Sequence, residues 1–130
     1  GHLGLTPQSV HALGGYRVQA REPAEAAQFR ADAAALETAG CFSMVFECVP
    51  AALAKSVTAS LKIPTIGIGA GPDCDGQVLV FQDLLGFNPD FKPKFARRFV
   101  DTAALMKTGV TAYADAVRAG TFPSDEESFR

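Results

Sequence analysis

Glu47 is the residue whose type and setting say most about chemistry. It ends the apolar run Phe42-Ser43-Met44-Val45-Phe46 and precedes Cys48-Val49-Pro50, so it stands where a strand hands over to a helix. In parallel α/β folds the C-terminal strand ends form the active face, and a carboxylate among apolar side chains becomes a better proton acceptor because desolvation disfavours its charged form. Glu47 is therefore a candidate general base; the competing reading is a charged residue marking the strand's exit to solvent. His2 is a candidate acid, base or hydrogen-bond donor if an upstream strand delivers it to the same rim as Glu47. His11 reads as a helix-surface residue with no role.

Other groups offer weaker chemistry. Gly67-Ile68-Gly69-Ala70-Gly71 resembles a phosphate loop, since glycines let backbone N–H groups approach an anion closely. However, it is GxGxG rather than GxGxxG, Pro72 removes a donor, and no long helix opens directly behind it. A tight turn between barrel strands is the competing reading. Asp73, Asp75 and Asp83 are oxygen donors without EF-hand spacing, and the first two read as turn residues. Lys92, Lys94, Arg97 and Arg98 form a basic cluster in a chain whose pI is not basic, which points to a solvated helix start or a subunit contact rather than nucleic acid. Cys41, Cys48 and Cys74 make an odd count with no CxxC pair, so reduced thiols are expected, without a disulfide framework or zinc site. No metal ligand is assigned in this chain, and no cofactor-binding residue is identified.

The elements that must position these residues follow from hydropathy. A short helix is expected from Pro7 through Leu13, and a loop from Gly14 to Pro23. The spacing Ala26, Phe29, Ala33, Leu36 predicts a helix from Ala24 with Gly40 as its C-cap. Phe42 to Phe46 reads as a strand buried on both faces in a parallel sheet. A helix opened by Pro50 follows, with Leu53, Val57 and Leu61 on one face, and then come the strand Thr65–Ile68, the glycine turn and a third strand candidate from Gln77 to Phe81. A turn of helix is expected near Asp83 to Leu85. This alternation predicts α/β architecture with parallel strands.

After Asn88-Pro89 the pattern is helix alone. Phe99, Ala103, Met106, Val110, Tyr113 and Val117 form a seam of alternating steps of four and three. Gly109 is expected to divide it into two helices, and the acidic tail from Ser124 is expected to fray.

Composition bounds the function classes. The 130 residues are 48% hydrophobic and 20% charged, with a formal charge of -2, a soluble globular profile with no overall pull towards nucleic acid or anionic membrane. No apolar run is long enough to span a bilayer and no secretory signal opens the chain, so a cytoplasmic location is expected. Gly1-His2-Leu3-Gly4 lacks an initiator Met, which reads as a processed product, a tagged form or a fragment.

Five collinear motifs carry a resemblance: Gly1-His2-Leu3-Gly4-Leu5-Thr6-Pro7-Gln8, Gly14-Gly15-Tyr16-Arg17-Val18-Gln19, Phe46-Glu47-Cys48-Val49-Pro50, Ile63-Pro64-Thr65-Ile66-Gly67-Ile68-Gly69-Ala70-Gly71 and Asp75-Gly76-Gln77-Val78-Leu79-Val80. Together they resemble the ketopantoate hydroxymethyltransferase family over almost the whole chain. The resemblance implies an α/β fold, the C-terminal half of a (β/α)8 TIM-type barrel with additional C-terminal helices, with barrel units over about residues 1–88 and helices and tail over 89–130. A complete barrel takes roughly 250 residues, so about four strand units are expected, the chain starting just past the end of one strand.

The resemblance also implies transfer of a hydroxymethyl group from 5,10-methylenetetrahydrofolate to 3-methyl-2-oxobutanoate, giving 2-dehydropantoate in pantothenate biosynthesis. Glu47 falls on the family's catalytic base and His2 on a motif at the active-site rim, in the vicinity of substrate. Mg²⁺ is implied as cofactor, its ligands and a substrate-contacting lysine lying in the N-terminal half. The implied partners are that half of the barrel and further copies in a homo-oligomer, a decamer; nucleic acid and membrane are not among them. The chain by itself is expected to be inactive. Two other readings compete: a different barrel enzyme that binds substrate phosphate on the Gly67 to Gly71 loop, and a non-enzymatic oligomerisation module built on the Phe99 to Val117 seam.

Overall fold

The computed structural model describes residues 1–129. The backbone packs as two compact units, Gly1–Leu79 and Val80–Arg130. The first unit carries a four-stranded parallel sheet of order β1-β2-β3-β4, made of β1 (His2–Gly4), β2 (Met44–Glu47), β3 (Thr65–Ile68) and β4 (Gly76–Gln77). Helix α1 (Pro23–Thr38) connects β1 to β2, and helix α2 (Ala51–Thr58) connects β2 to β3. Strands added in sequence order with intervening helices are what successive units of a (β/α)8 barrel provide. Between β3 and β4 a glycine turn replaces the helix.

The sheet has two unlike faces. Side chains alternate along a strand, and the register pairs Leu3 with Phe46, and Met44 with Thr65. Met44, Phe46 and Thr65 are fully buried. Phe46 meets Phe29 of α1 edge-on, with ring centroids 5.0 Å apart, and Ala33, Leu53, Ala54 and Val57 complete the core between this face and the two helices. The Phe29 and Ala33 stripe of α1 is the one the sequence spacing predicts. Thr65 is buried without strain on its polarity, because its hydroxyl meets those of Thr58 and the carboxylate of Asp75. The opposite face carries His2, Val45, Glu47, Ile66 and Ile68.

Helix α1 starts one residue earlier than the sequence suggests, at Pro23, through a reciprocal pairing of Glu22 and Glu25 with each other's backbone amides. β2 is shifted toward its C-terminal end. Phe42 is exposed, and Glu47 is the strand's last residue. β1 is a strand in its own right, so the chain does not start just past a strand end: Val45 N donates to Gly1 O and the ladder continues to Gly4. The expected helix from Pro7 to Leu13 is only a 3-10 turn at Pro7–Ser9 followed by further turns, because Gly14 and Gly15 follow too closely for it to propagate. The helix opened by Pro50 ends at Thr58, so Leu61 reaches the core from beyond its end. The third strand is shorter than expected. β4 stops at Gln77, with Val78 N still donating to Gly67 O, and Phe81 begins a helix.

In the second unit, α3 (Phe81–Leu85) ends on Gly86 in the left-handed conformation, and α4 (Thr102–Arg118) is capped by Asp101, whose side chain accepts from Ala104 N. Residues 88–101 are irregular, so Phe99 lies outside the expected helical seam. Gly109 does not divide α4: a cost of about 1 kcal/mol is too small to break a helix with good formers on both sides. The tail does not fray into isolated residues either. Glu127 accepts from Ser124 N at 2.7 Å, and Ser128 Oγ donates to Ser124 O. Among the described residues no helix is long and apolar enough to cross a membrane.

Candidate active site

The two residues singled out by type stand together. His2 is level with Val45 and Gly4 with Glu47, so His2 and Glu47 are diagonal neighbours on the face of the sheet away from α1 and α2. His2 Nε2 lies 3.1 Å from Glu47 Oε2. Their side chains are 32% and 15% exposed, sheltered enough for the hydrogen bond to hold its geometry yet open to a ligand. His2 stands one layer below the rim rather than on it, because β1 continues two residues past it.

The strand end fixes Glu47 through its backbone. Leu5 N donates to Glu47 O at 2.8 Å, Cys48 N to Ile68 O at 2.9 Å, and Gln19 N to Cys48 O at 2.8 Å. Cys48 itself takes a left-handed φ of 49°, uncommon for a residue with a side chain, and this turns the chain from β2 towards α2. Gly69 follows directly on Ile68, which pairs with Glu47, so Glu47 and Gly69 stand on one rim of the sheet. Sequence reasoning missed Gln19. The Gly14 to Gln19 motif is visible in the sequence, but nothing in it shows that its end returns to the strand end of β2.

Other candidates have structural occupations. Gly71 has φ +81°, and a Cβ there would overlap that of Ala51 at the start of α2. The glycine turn thus lies directly on α2, which accounts for its lack of bulk. Asp73 pairs with Lys55 at 3.1 Å. Asp75 accepts from Thr65 N at 2.8 Å and from its hydroxyl at 3.1 Å; the backbone bond first, then the side-chain bond, hold its carboxyl below the ordinary carboxylate range. His11 is an exposed turn residue rather than a helical one. Within the second unit Arg98 donates to the carbonyls of Asn88 and Phe91, and Arg97 lies over the Phe99 ring at 4.5 Å. That basic segment is not a helix start.

The three cysteines are free. Burial, and after it the charge of Glu47, push the Cys48 thiol up, which keeps it protonated and unreactive at neutral pH. Cys48 is therefore not a nucleophile beside the carboxylate. Among the described residues no three His, Cys, Asp or Glu side chains converge as a metal-binding group. Glu47 and His2 alone do not make a Mg²⁺ site.

A sheltered His–carboxylate pair whose carboxylate closes the C-terminal end of β2 in a parallel sheet is an acid–base constellation. A sequence model of the ketopantoate hydroxymethyltransferase family matches residues 1–125. The chain belongs to this family. It is 57% identical over 130 residues to the 3-methyl-2-oxobutanoate hydroxymethyltransferase of Moorella thermoacetica, covering 100% of this chain and 48% of that protein. The protein of the same name from Methylobacterium sp. is 59% identical over 129 residues, with 99% of this chain and 45% of the relative covered. That from Anaeromyxobacter dehalogenans is 55% identical over 129 residues, covering 99% of this chain and 42% of the relative. The chain spans about half the length of the curated relatives it matches, and the matched region is their C-terminal part. This accounts for a sheet of four strands rather than a closed barrel of eight.

Proposed function

We propose that this chain supplies the general base for transfer of a hydroxymethyl group from 5,10-methylenetetrahydrofolate to 3-methyl-2-oxobutanoate, giving 2-dehydropantoate, and that Glu47 is that base. The observation that carries the reading is the 3.1 Å contact between His2 Nε2 and Glu47 Oε2 on the open face of the sheet, in a chain of this family.

Glu47 takes the proton from C3 of the keto acid, and the C–H electron pair becomes the enolate. That carbon then forms its new bond to the one-carbon unit, whose two C–N bonds to the folate break; a water oxygen becomes the product hydroxyl, and in net the proton taken by Glu47 and one proton of that water go to the two folate nitrogens. His2 engages Oε2, which leaves Oε1 to meet the substrate proton and holds the carboxylate in one orientation. Among the described residues no group of His, Cys, Asp or Glu side chains forms a Mg²⁺ site. The Mg²⁺ ligands and a substrate-contacting lysine are assigned to an N-terminal barrel half, as the family resemblance implies. The active form is proposed as a complete barrel in a cytoplasmic homo-oligomer, decameric as the family resemblance implies, with this chain inactive by itself.

The test is Glu47→Gln in the assembled barrel, in which an N-terminal segment of the relatives' kind completes the sheet. The change keeps volume while removing the basic oxygen. Turnover is expected to fall by about 10²–10⁴-fold, the usual contribution of general acid–base catalysis. Substrate affinity, set by groups other than the base, should change far less. Turnover within a few-fold of wild type would contradict the assignment.

A further inference from the structure

We propose that Gly4 is a positioning residue for Glu47: the missing side chain on β1 sets where the catalytic carboxylate stands. The inference rests on the reading of Glu47 as the base and adds a residue on a different strand to that site.

Gly4 is the register partner of Glu47. Its Cα passes so close to the end of β2 that a Cβ would overlap the Glu47 carbonyl oxygen and come within 2.8 Å of Val49 Cγ1. The backbone there has φ +92°, which disfavours any L side chain independently. Two separate constraints thus fall on one residue, and both obstructing groups flank Cys48, the turn that follows the base.

The close approach has a consequence for the carboxylate. With Gly4 in place, the chain reaches Leu5, whose N–H bonds to Glu47 O at 2.8 Å, while the same peptide is held on its other side by the Cys48 N–H bond to Ile68 O. The peptide after Glu47 is therefore gripped between β1 and β3. The same short β1 segment carries His2, which holds Oε2. Backbone and side chain of Glu47 are both referenced to β1 and the residue after it, by Leu5 and His2, three residues apart. A Cβ at position 4 must push the Glu47 carbonyl away by something on the order of 1 Å before ordinary van der Waals contact is restored. That motion tilts Glu47 relative to His2, and misplacement on this scale costs about 10²-fold in rate.

The experiment is a double-mutant cycle of Gly4→Ala and Glu47→Gln in the assembled enzyme. The readout is exchange of the C3 proton of 3-methyl-2-oxobutanoate with deuterated solvent, with keto-acid binding measured in parallel. Gly4→Ala is expected to slow exchange by about 10²-fold with little change in binding, and to slow Glu47→Gln no further, because a residue that acts through the base has nothing to act on once the base is gone. Normal exchange in Gly4→Ala, or the same additional factor on both backgrounds, would overturn the positioning role while leaving Glu47 intact as base. Near-normal exchange in Glu47→Gln alone would instead remove the base assignment. Should Gly4→Ala fail to fold, amide hydrogen exchange of the wild-type chain decides: a protected Leu5 N–H is expected, and one exchanging like an open loop would show that β1 does not hold the Glu47 carbonyl.

Discussion

Strand β2 of the first unit places side chains in a closed core, whereas helix α4 of the second has no fully buried residue. Phe46 and Met44 are completely enclosed, whereas α4 has no buried residue and Val110, in the middle of its apolar seam, is 67% exposed. Both segments are equally legible as hydrophobic patterns. The difference teaches where chemistry can reside: Glu47 ends the same strand whose alternate residues form the core, so its backbone is as fixed as the core itself. The α4 seam is an apolar surface, and the Asp115–Arg118 pair on the same helix stands exposed to solvent.

The largest effect expected from this contrast concerns the core. Phe46→Ala removes the ring that packs on Phe29 and should destabilise the first unit by about 3–5 kcal/mol, read from denaturant unfolding. A loss under 1 kcal/mol would show that the enclosed core does not fix the strand end. A smaller, pH-dependent effect is expected at Asp75, whose bonds to Thr65 tie the start of β3 to the approach of β4. Its carboxyl is depressed below the ordinary 3.8, so its contribution is fully present above that value and is lost as pH falls through the lower folded-state value. The stability gap between wild type and Asp75→Ala should therefore be open at neutral pH and close in acid. A gap independent of pH would contradict the charge-assisted role. The smallest effect is expected on the second unit, where Val110→Ser should change stability by no more than about 0.5 kcal/mol in the isolated chain. A cost of 2 kcal/mol or more, on the order of a buried aliphatic side chain, would erase the contrast between the two units.

Much of the fold was readable because local and global signals agree. The Phe29 and Ala33 stripe, the apolar run into Glu47 and the proline before β3 each demand one kind of element. Boundaries were less legible where tertiary hydrogen bonds decide them. Gly76-Gln77 pairs with β3, while Val80 and Phe81, apolar enough to continue a strand, instead open α3. The 3-10 turn at Pro7–Ser9 is shorter than its apolar residues suggest because two glycines cut off propagation. Of the site, Glu47 and His2 were visible as residue types, and their meeting required the β1–β2 register. Gly4 and Gln19 were present in motifs, yet their part in holding the strand end comes from close approaches between segments distant in sequence, which spacing does not encode.

The decisive measurement is deuterium incorporation at C3 of 3-methyl-2-oxobutanoate by the assembled enzyme in the absence of the folate, comparing wild type with Glu47→Gln. This isolates proton abstraction from formation of the new carbon–carbon bond. A base at Glu47 requires exchange to fall by about 10²–10⁴-fold while keto-acid binding persists. Exchange at close to the wild-type rate would contradict it and leave Glu47 as a carboxylate that marks the end of a strand.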